Sequence, residues 1–187
     1  MSLHIPHDRG PMVYTKTGRF YVADSPFDME CVAHSLGQLA RFNGNGSFFY
    51  SVAEHSVLVS LLMEELKLGD PLEGLLHDGT ESVLSDVPSP IKSLLPDWCK
   101  LETLLDKRLR RQYDLPLEKT AGCHHADQLA LFIEAYQLVT DKGVSIKDSL
   151  QVRPQALTLR NQGWMIRGLE WHHASEVFLS RFSRLKR

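Results

Sequence analysis

Long apolar runs are missing from this sequence, as are paired cysteines, internal repeats, low-complexity stretches and any large excess of charge. No apolar stretch approaches the roughly 20 residues that span a bilayer, and the N-terminal MSLHIPHDRGPM lacks the apolar core of a secretory signal. The expectation is a cytoplasmic protein, in a bacterial cell or an infected one, with no membrane partner. Three cysteines, Cys31, Cys99 and Cys123, are odd in number and form no CxxC pair, which argues against a disulfide framework or a zinc ribbon and for buried thiols. A net charge of −2, from 21 basic and 23 acidic residues, offers no global attraction for nucleic acid, so no stable nucleic-acid partner is expected. An anionic substrate must then be held by local cations.

What is present suits one compact domain. The 187 residues, 43% hydrophobic and 24% charged, are enough to bury a substantial core and exclude wholesale disorder. Residues 1–28 are expected to form an N-terminal segment packed on a domain covering 29–187.

The chemistry concentrates around the adjacent pair His77 and Asp78 in LLHDGTES, preceded by His55 in YSVAEHS and followed by Asp127 in HHADQLAL. Two imidazoles and two carboxylates make a mixed nitrogen and oxygen donor set, suited to zinc, manganese, iron or cobalt with positions left open for water and substrate. A lone histidine is more often a core residue with one hydrogen bond, but four such residues together favour ligation. Asp78, on an otherwise apolar stretch, is costly to bury without a partner. His55 lies 22 residues before His77 and Asp127 lies 49 after Asp78, so the donors must come from separate helical segments packed around one point.

The pattern along the chain is mostly helical. Val32, Leu36 and Leu39 predict a helix over 29–42, which GNGS at 44–47 breaks. Ser51 and Glu54 form a capping box ahead of an apolar helix carrying His55 in its first turns. Asp70 and Pro71 cap and open PLEGLLHD, and Gly79 interrupts that helix just after the donor pair. An amphipathic segment is expected at about 97–112, a helix carrying Asp127 to about 139, and one amphipathic helix from Arg160 to Leu185. TKTGRFYVADSPF is expected to contribute short β structure. Lys107, Arg108, Arg110 and Arg111 fit an exposed helix face better than a binding strip.

From about residue 30 to about 140 the chain resembles the HD-domain metal-dependent phosphohydrolases, through AEHS, HDGTE, SDVPSPIK and ADQLAL. Within that family it is most similar to small phage and bacterial proteins with TGRxF, AHxL, RFNG and FYSVAEHS upstream, which include phage dATP triphosphohydrolases of the DatZ type. The resemblance implies an all-α HD-domain helical bundle, a divalent transition metal on His55, His77, Asp78 and Asp127, and hydrolysis of deoxynucleotides. The substrate it points to is dATP, cleaved to deoxyadenosine and triphosphate, with a 5′-nucleotidase acting on deoxynucleoside monophosphates as the alternative. A metal-containing nucleotide sensor is the non-enzyme alternative.

Glu81 stands four residues beyond His77, on the same face if the helix continues. The HDxxE wording of the family's 5′-nucleotidase branch makes it a catalytic glutamate; a surface glutamate is the plain alternative. Asp86 in SDVPSP matches a second acidic position of that branch and could equally be a turn residue. Arg41 and Lys92 match basic positions near the site in related sequences and are the first choices for phosphate contact, against a solvated surface role. Arg19 is a candidate for the site rim, and Phe42 for stacking on a base, although aromatics flanking a buried helix more often pack in the core. His34 is open between lining the pocket and core packing; no role is expected for His172 and His173. Gly79 and Thr80 replace the more common wording between the donor pair and Glu81. Zinc, cobalt or manganese is expected at the site, with further magnesium or cobalt accompanying a triphosphate. A homo-oligomer is expected, with Trp164 and Trp171 available for assembly or for completing the core.

Overall fold

A computed structural model of the chain describes residues 10–140 and 151–186. The amino-terminal stretch whose composition argues against a signal lies largely outside these residues. The expected all-α bundle with a short β element is present. Strands β1 (Met12–Thr15) and β2 (Gly18–Tyr21) form an antiparallel hairpin with Met12 opposite Tyr21 and Thr15 opposite Gly18. Helices follow as α1 (Met29–Gln38), α2 (Val52–Glu65), α3 (Pro71–Leu76), α4 (Glu81–Leu84), α5 (Ser89–Lys92), α6 (Pro96–Gln112), α7 (Ala121–Leu138), α8 (Arg153–Asn161) and α9 (Trp171–Leu185). Among the described residues no helix is long and apolar enough to cross a membrane.

Helix α2 is central because it has almost no polar face. Val52, Ala53 and Val57 join a core with α1, α3 and α9, while Leu58, Val59, Leu62 and Met63 join a second core with α7 and α8. A helix apolar all round is stable only when covered all round, each fully buried leucine contributing about 1.5–3 kcal/mol. Helix α3 lies close against α2 at Gly74, where a Cβ would sit 2.7 Å from Met63 Sδ. That approach brings the chain after α3, with His77, beside His55. Gly79 has a similar origin: a Cβ there would meet Leu109 of α6 at 2.6 Å.

Several expectations are corrected. Helix α1 stops at Gln38 rather than 42, because Ala40 bridges to Ser51 and the backbone N–H of Arg41 donates to Tyr50 O at 2.9 Å. Arg41–Gly44 instead forms a tight turn with Phe42 and Asn43 left-handed, at φ 54° and 52°. The single helix expected from Arg160 to Leu185 is two, α8 and α9, separated at 162–170, where Gly163 and Gly168 take positive φ. The connecting backbone finds its acceptor in Glu54, which receives the N–H groups of Arg167, Gly168 and Leu169 at 3.0, 3.1 and 2.8 Å. The capping box is therefore half realised: Ser51 Oγ accepts from Glu54 N at 3.1 Å, but the Glu54 carboxylate serves the later segment. Arg110 is not on an exposed face. It is buried between Asp106, at 2.8 Å, and Glu73, at 3.0 Å, since a guanidinium enters the interior only when paired. Arg108 turns toward the carbonyls of Val22 and Ser25. Cys31 and Cys123 are buried thiols; Cys99 is only partly so and donates to Lys92 O.

Candidate metal centre

Three segments meet at one point, His55 in the second turn of α2, His77 and Asp78 directly after α3, and Asp127 inside α7. Ligand atoms of His55, His77 and Asp78 all lie within 4.8 Å of one another. His55 Nε2 is 3.3 Å from His77 Nε2 and 3.4 Å from Asp78 Oδ2, and His77 Nε2 is 3.1 Å from that same oxygen. Asp127 Oδ1 adds a fourth donor, 3.2 and 3.7 Å from the two nitrogens. A cation with bonds of about 2.0–2.2 Å needs neighbouring donors roughly 3 Å apart, so His55, His77 and Asp78 could together hold a divalent ion, with Asp127 beside them.

The histidines are oriented for that role. His77 Nδ1 faces Gly74 O at 2.8 Å and His55 Nδ1 faces Glu134 Oε1 at 2.6 Å. Carbonyl and carboxylate oxygens only accept, so both Nδ1 atoms carry the proton, and the Nε2 atoms face the other donors. The imidazoles are fully buried, whereas the side chains of Asp78 and Asp127 keep 21% and 27% exposure, placing the open side of the cluster at the carboxylates.

Electrostatics show how dense the negative charge is. Burial and Arg41 disfavour a charged His55, yet Glu134, Asp127 and Asp78 raise its pKa well above the ordinary value. His77 is raised too, burial being outweighed by Asp78 and Asp127. Asp78 and Asp127 are held well below the usual carboxylate range by the two imidazoles despite their burial. Protons thus neutralise the cluster where a divalent cation would do so.

Around it stand the other predicted residues. The turn after α3 is not a continuous α-helix, yet Glu81 opens α4 buried at the site, its Oε2 without a hydrogen-bond partner. Burial, with Asp78 and Asp86, pushes its carboxyl up to about 9. Asp86 is raised as well, mainly by burial and against the pull of Arg41. Lys92 Nζ lies 3.8 Å from Glu81, bonded to Glu102 at 2.6 Å and over the Trp98 ring. Arg41 NH1 is 3.8 Å from Asp78, while its Nε donates to Glu134 Oε2 at 3.1 Å. Phe42 packs on the core shared with α7 and carries the Arg41 guanidinium over its ring. Arg19 is exposed on β2 with Tyr14 and Tyr21 as its neighbours, so the structure does not bring it to the cluster. His34 bonds to Gln38 and lines a separate cavity of about 440 Å³ beside the hairpin.

Glu134 and Lys119 are the residues that motif reading missed. Tyr50 OH donates to Glu134 Oε1 at 3.1 Å, and Lys119 Nζ donates to Asp127 Oδ2 at 2.6 Å. A signal for Glu134 exists: it lies seven residues after Asp127, hence on the same face of one helix.

Among known proteins, no family model matches the chain. It is 39% identical over 112 residues to the uncharacterized protein YfdR of Escherichia coli (strain K12), a match covering 60% of this chain and 61% of that protein. It is 32% identical over 155 residues to the uncharacterized protein RCAP_rcc00048 of Rhodobacter capsulatus, covering 73% of this chain and 79% of that protein.

Proposed function

We propose, for a chain that belongs to the same family as RCAP_rcc00048 of Rhodobacter capsulatus, metal-dependent hydrolysis of deoxynucleotides, with dATP as substrate. The observation that carries this reading is the convergence of His55 Nε2, His77 Nε2, Asp78 and Asp127 with both Nδ1 atoms committed elsewhere. The HD-domain resemblance, carried by the motifs around these same four residues, points the same way. His55, His77, Asp78 and Asp127 would hold zinc, cobalt or manganese, with further magnesium or cobalt accompanying a triphosphate. When bound, such an ion lowers the pKa of water and polarises a phosphorus centre.

The chain's own residues would do the rest. In the proposed reaction, water oxygen bonds to the α-phosphorus, the bond from phosphorus to the 5′ oxygen breaks, and that oxygen must take up a proton. Glu81, buried beside Asp78, would orient the attacking water or shuttle its proton. Asp86 would assist proton transfer or hold the loop. Arg41 and Lys92 would neutralise phosphate charge, each kept in place by a carboxylate, Glu134 and Glu102.

The test is incubation with each dNTP and dNMP plus manganese, cobalt or magnesium, resolving products by chromatography. Deoxyadenosine and triphosphate from dATP, faster than from dGTP, dCTP, TTP or ATP, is the expected result. Hydrolysis of dAMP with dATP untouched would replace it with a 5′-nucleotidase. Equal rates on all four dNTPs would keep the chemistry and remove the base preference, and tight binding without turnover would favour a sensor.

A further inference from the structure

Lys119 is a cation at this site that no motif signals. It precedes α7, and its Nζ lies 2.6 Å from Asp127 Oδ2 while the other oxygen of the same carboxylate faces His55 and His77. Its side chain is 31% exposed, beside Asp127 at 27%. The backbone beneath it is anchored. Thr120 donates its N–H and its hydroxyl to the buried Glu73 at 2.9 and 2.6 Å, and Glu73 belongs to α3, the helix that delivers His77. Arg110 holds Glu73 from the other side.

The three cations of the site differ in what balances them. Arg41 is paired through Nε with Glu134 and Lys92 with Glu102, neither of which is among the four converging donors. Lys119 alone of these three has its closest ion pair with one of those donors, Asp127. A divalent ion on Asp127 would take up that carboxylate's charge and leave the ammonium of Lys119 without its counter-charge at the open side.

We infer that Lys119 is a phosphate-holding residue whose hold on a phosphate chain is switched on by metal loading. The inference rests on the phosphohydrolase reading and deepens it. It assigns the phosphates a cation paired directly with Asp127, in addition to Arg41 and Lys92.

Calorimetric titration with inorganic triphosphate tests it, using protein loaded with manganese and freed of excess metal, and the same protein stripped of metal. The variants are Lys119→Met, Lys119→Gln and Lys119→Arg, with metal content measured for each by mass spectrometry. In loaded protein, Lys119→Met and Lys119→Gln should keep the metal and bind triphosphate about tenfold more weakly or worse, with Lys119→Arg close to the parent. In stripped protein the parent and Lys119→Met should bind alike. Equal triphosphate affinity of loaded parent and both uncharged variants would overturn the role of Lys119 and leave the phosphohydrolase reading standing. An equal loss in stripped protein would overturn the coupling to metal. A loaded parent that does not bind triphosphate would overturn both this inference and the reading beneath it.

Discussion

Glu134 Oε1 lies 2.6 Å from His55 Nδ1, with both side chains fully buried between α2 and α7. The same carboxylate accepts from Tyr50 OH and from Arg41 Nε, so one acidic group orients His55 and Arg41 together. Glu134→Gln is expected to weaken metal affinity roughly 10- to 100-fold, because the amide holds the imidazole less firmly and no longer raises its basicity. Metal titration of folded variant and parent checks this; equal affinities would make the contact incidental.

Glu81→Gln should separate chemistry from binding. The amide keeps the shape but carries no titratable proton, so metal content should be retained while the rate falls roughly 100-fold or more. A rate within a few-fold of the parent, at unchanged metal content, would make Glu81 a bystander.

The metal-stripped protein should lose stability as pH rises through the neutral range. His55 and His77 have raised folded pKa values, so what they contribute is complete below the ordinary histidine value and disappears as pH climbs through the folded one. Glu81 acts in the same direction: between 4.5 and about 9 the folded state keeps a proton that the unfolded chain releases. Metal binding displaces the histidine protons, so the rise in Tm on adding metal should be larger at pH 8.5 than at pH 6. Thermal melts with and without chelator measure it. A stripped protein that gains stability from pH 6.5 to 9 would contradict the charge assignment.

Ser85, between α4 and Asp86, has φ 69° and ψ 159°, a region used almost only by glycine. That backbone turn sets the path on which Asp86 follows α4. Ser85→Gly relieves a cost of about 1–3 kcal/mol and adds back roughly 0.5–1 kcal/mol of unfolded-chain entropy. The variant should therefore melt slightly higher with activity preserved. A lower Tm would mean the serine side chain stabilises the turn.

Much of this was legible because its signals are local. The caps at Ser51 and Asp70, the proline opening α3 and the apolar α2 all act within a few residues, and the cluster of His55, His77 and Asp78 could be named from residue type and spacing. What was not legible depends on distant partners. Glu54 looks like the closing residue of a capping box and serves a segment more than 110 residues away. Arg110 looks like one of four surface cations until Glu73 arrives from α3. The end of α1 was overrun because Leu36 and Leu39 keep helical spacing, while the bridge from Ala40 to Ser51 diverts the backbone. Arg19, a candidate for the site rim by its place after Thr17 and Gly18, lies instead on an exposed strand of the hairpin.

The most direct test of the central claim is phosphorus NMR of dATP with protein stripped of metal and then given one equivalent of cobalt or manganese, alongside Asp78→Ala treated identically. The account predicts no reaction for the stripped protein, inorganic triphosphate as the sole phosphorus product once the parent is reloaded, and no product from Asp78→Ala. Persistence of intact dATP in the reloaded parent, or triphosphate formed equally well by Asp78→Ala, would contradict it.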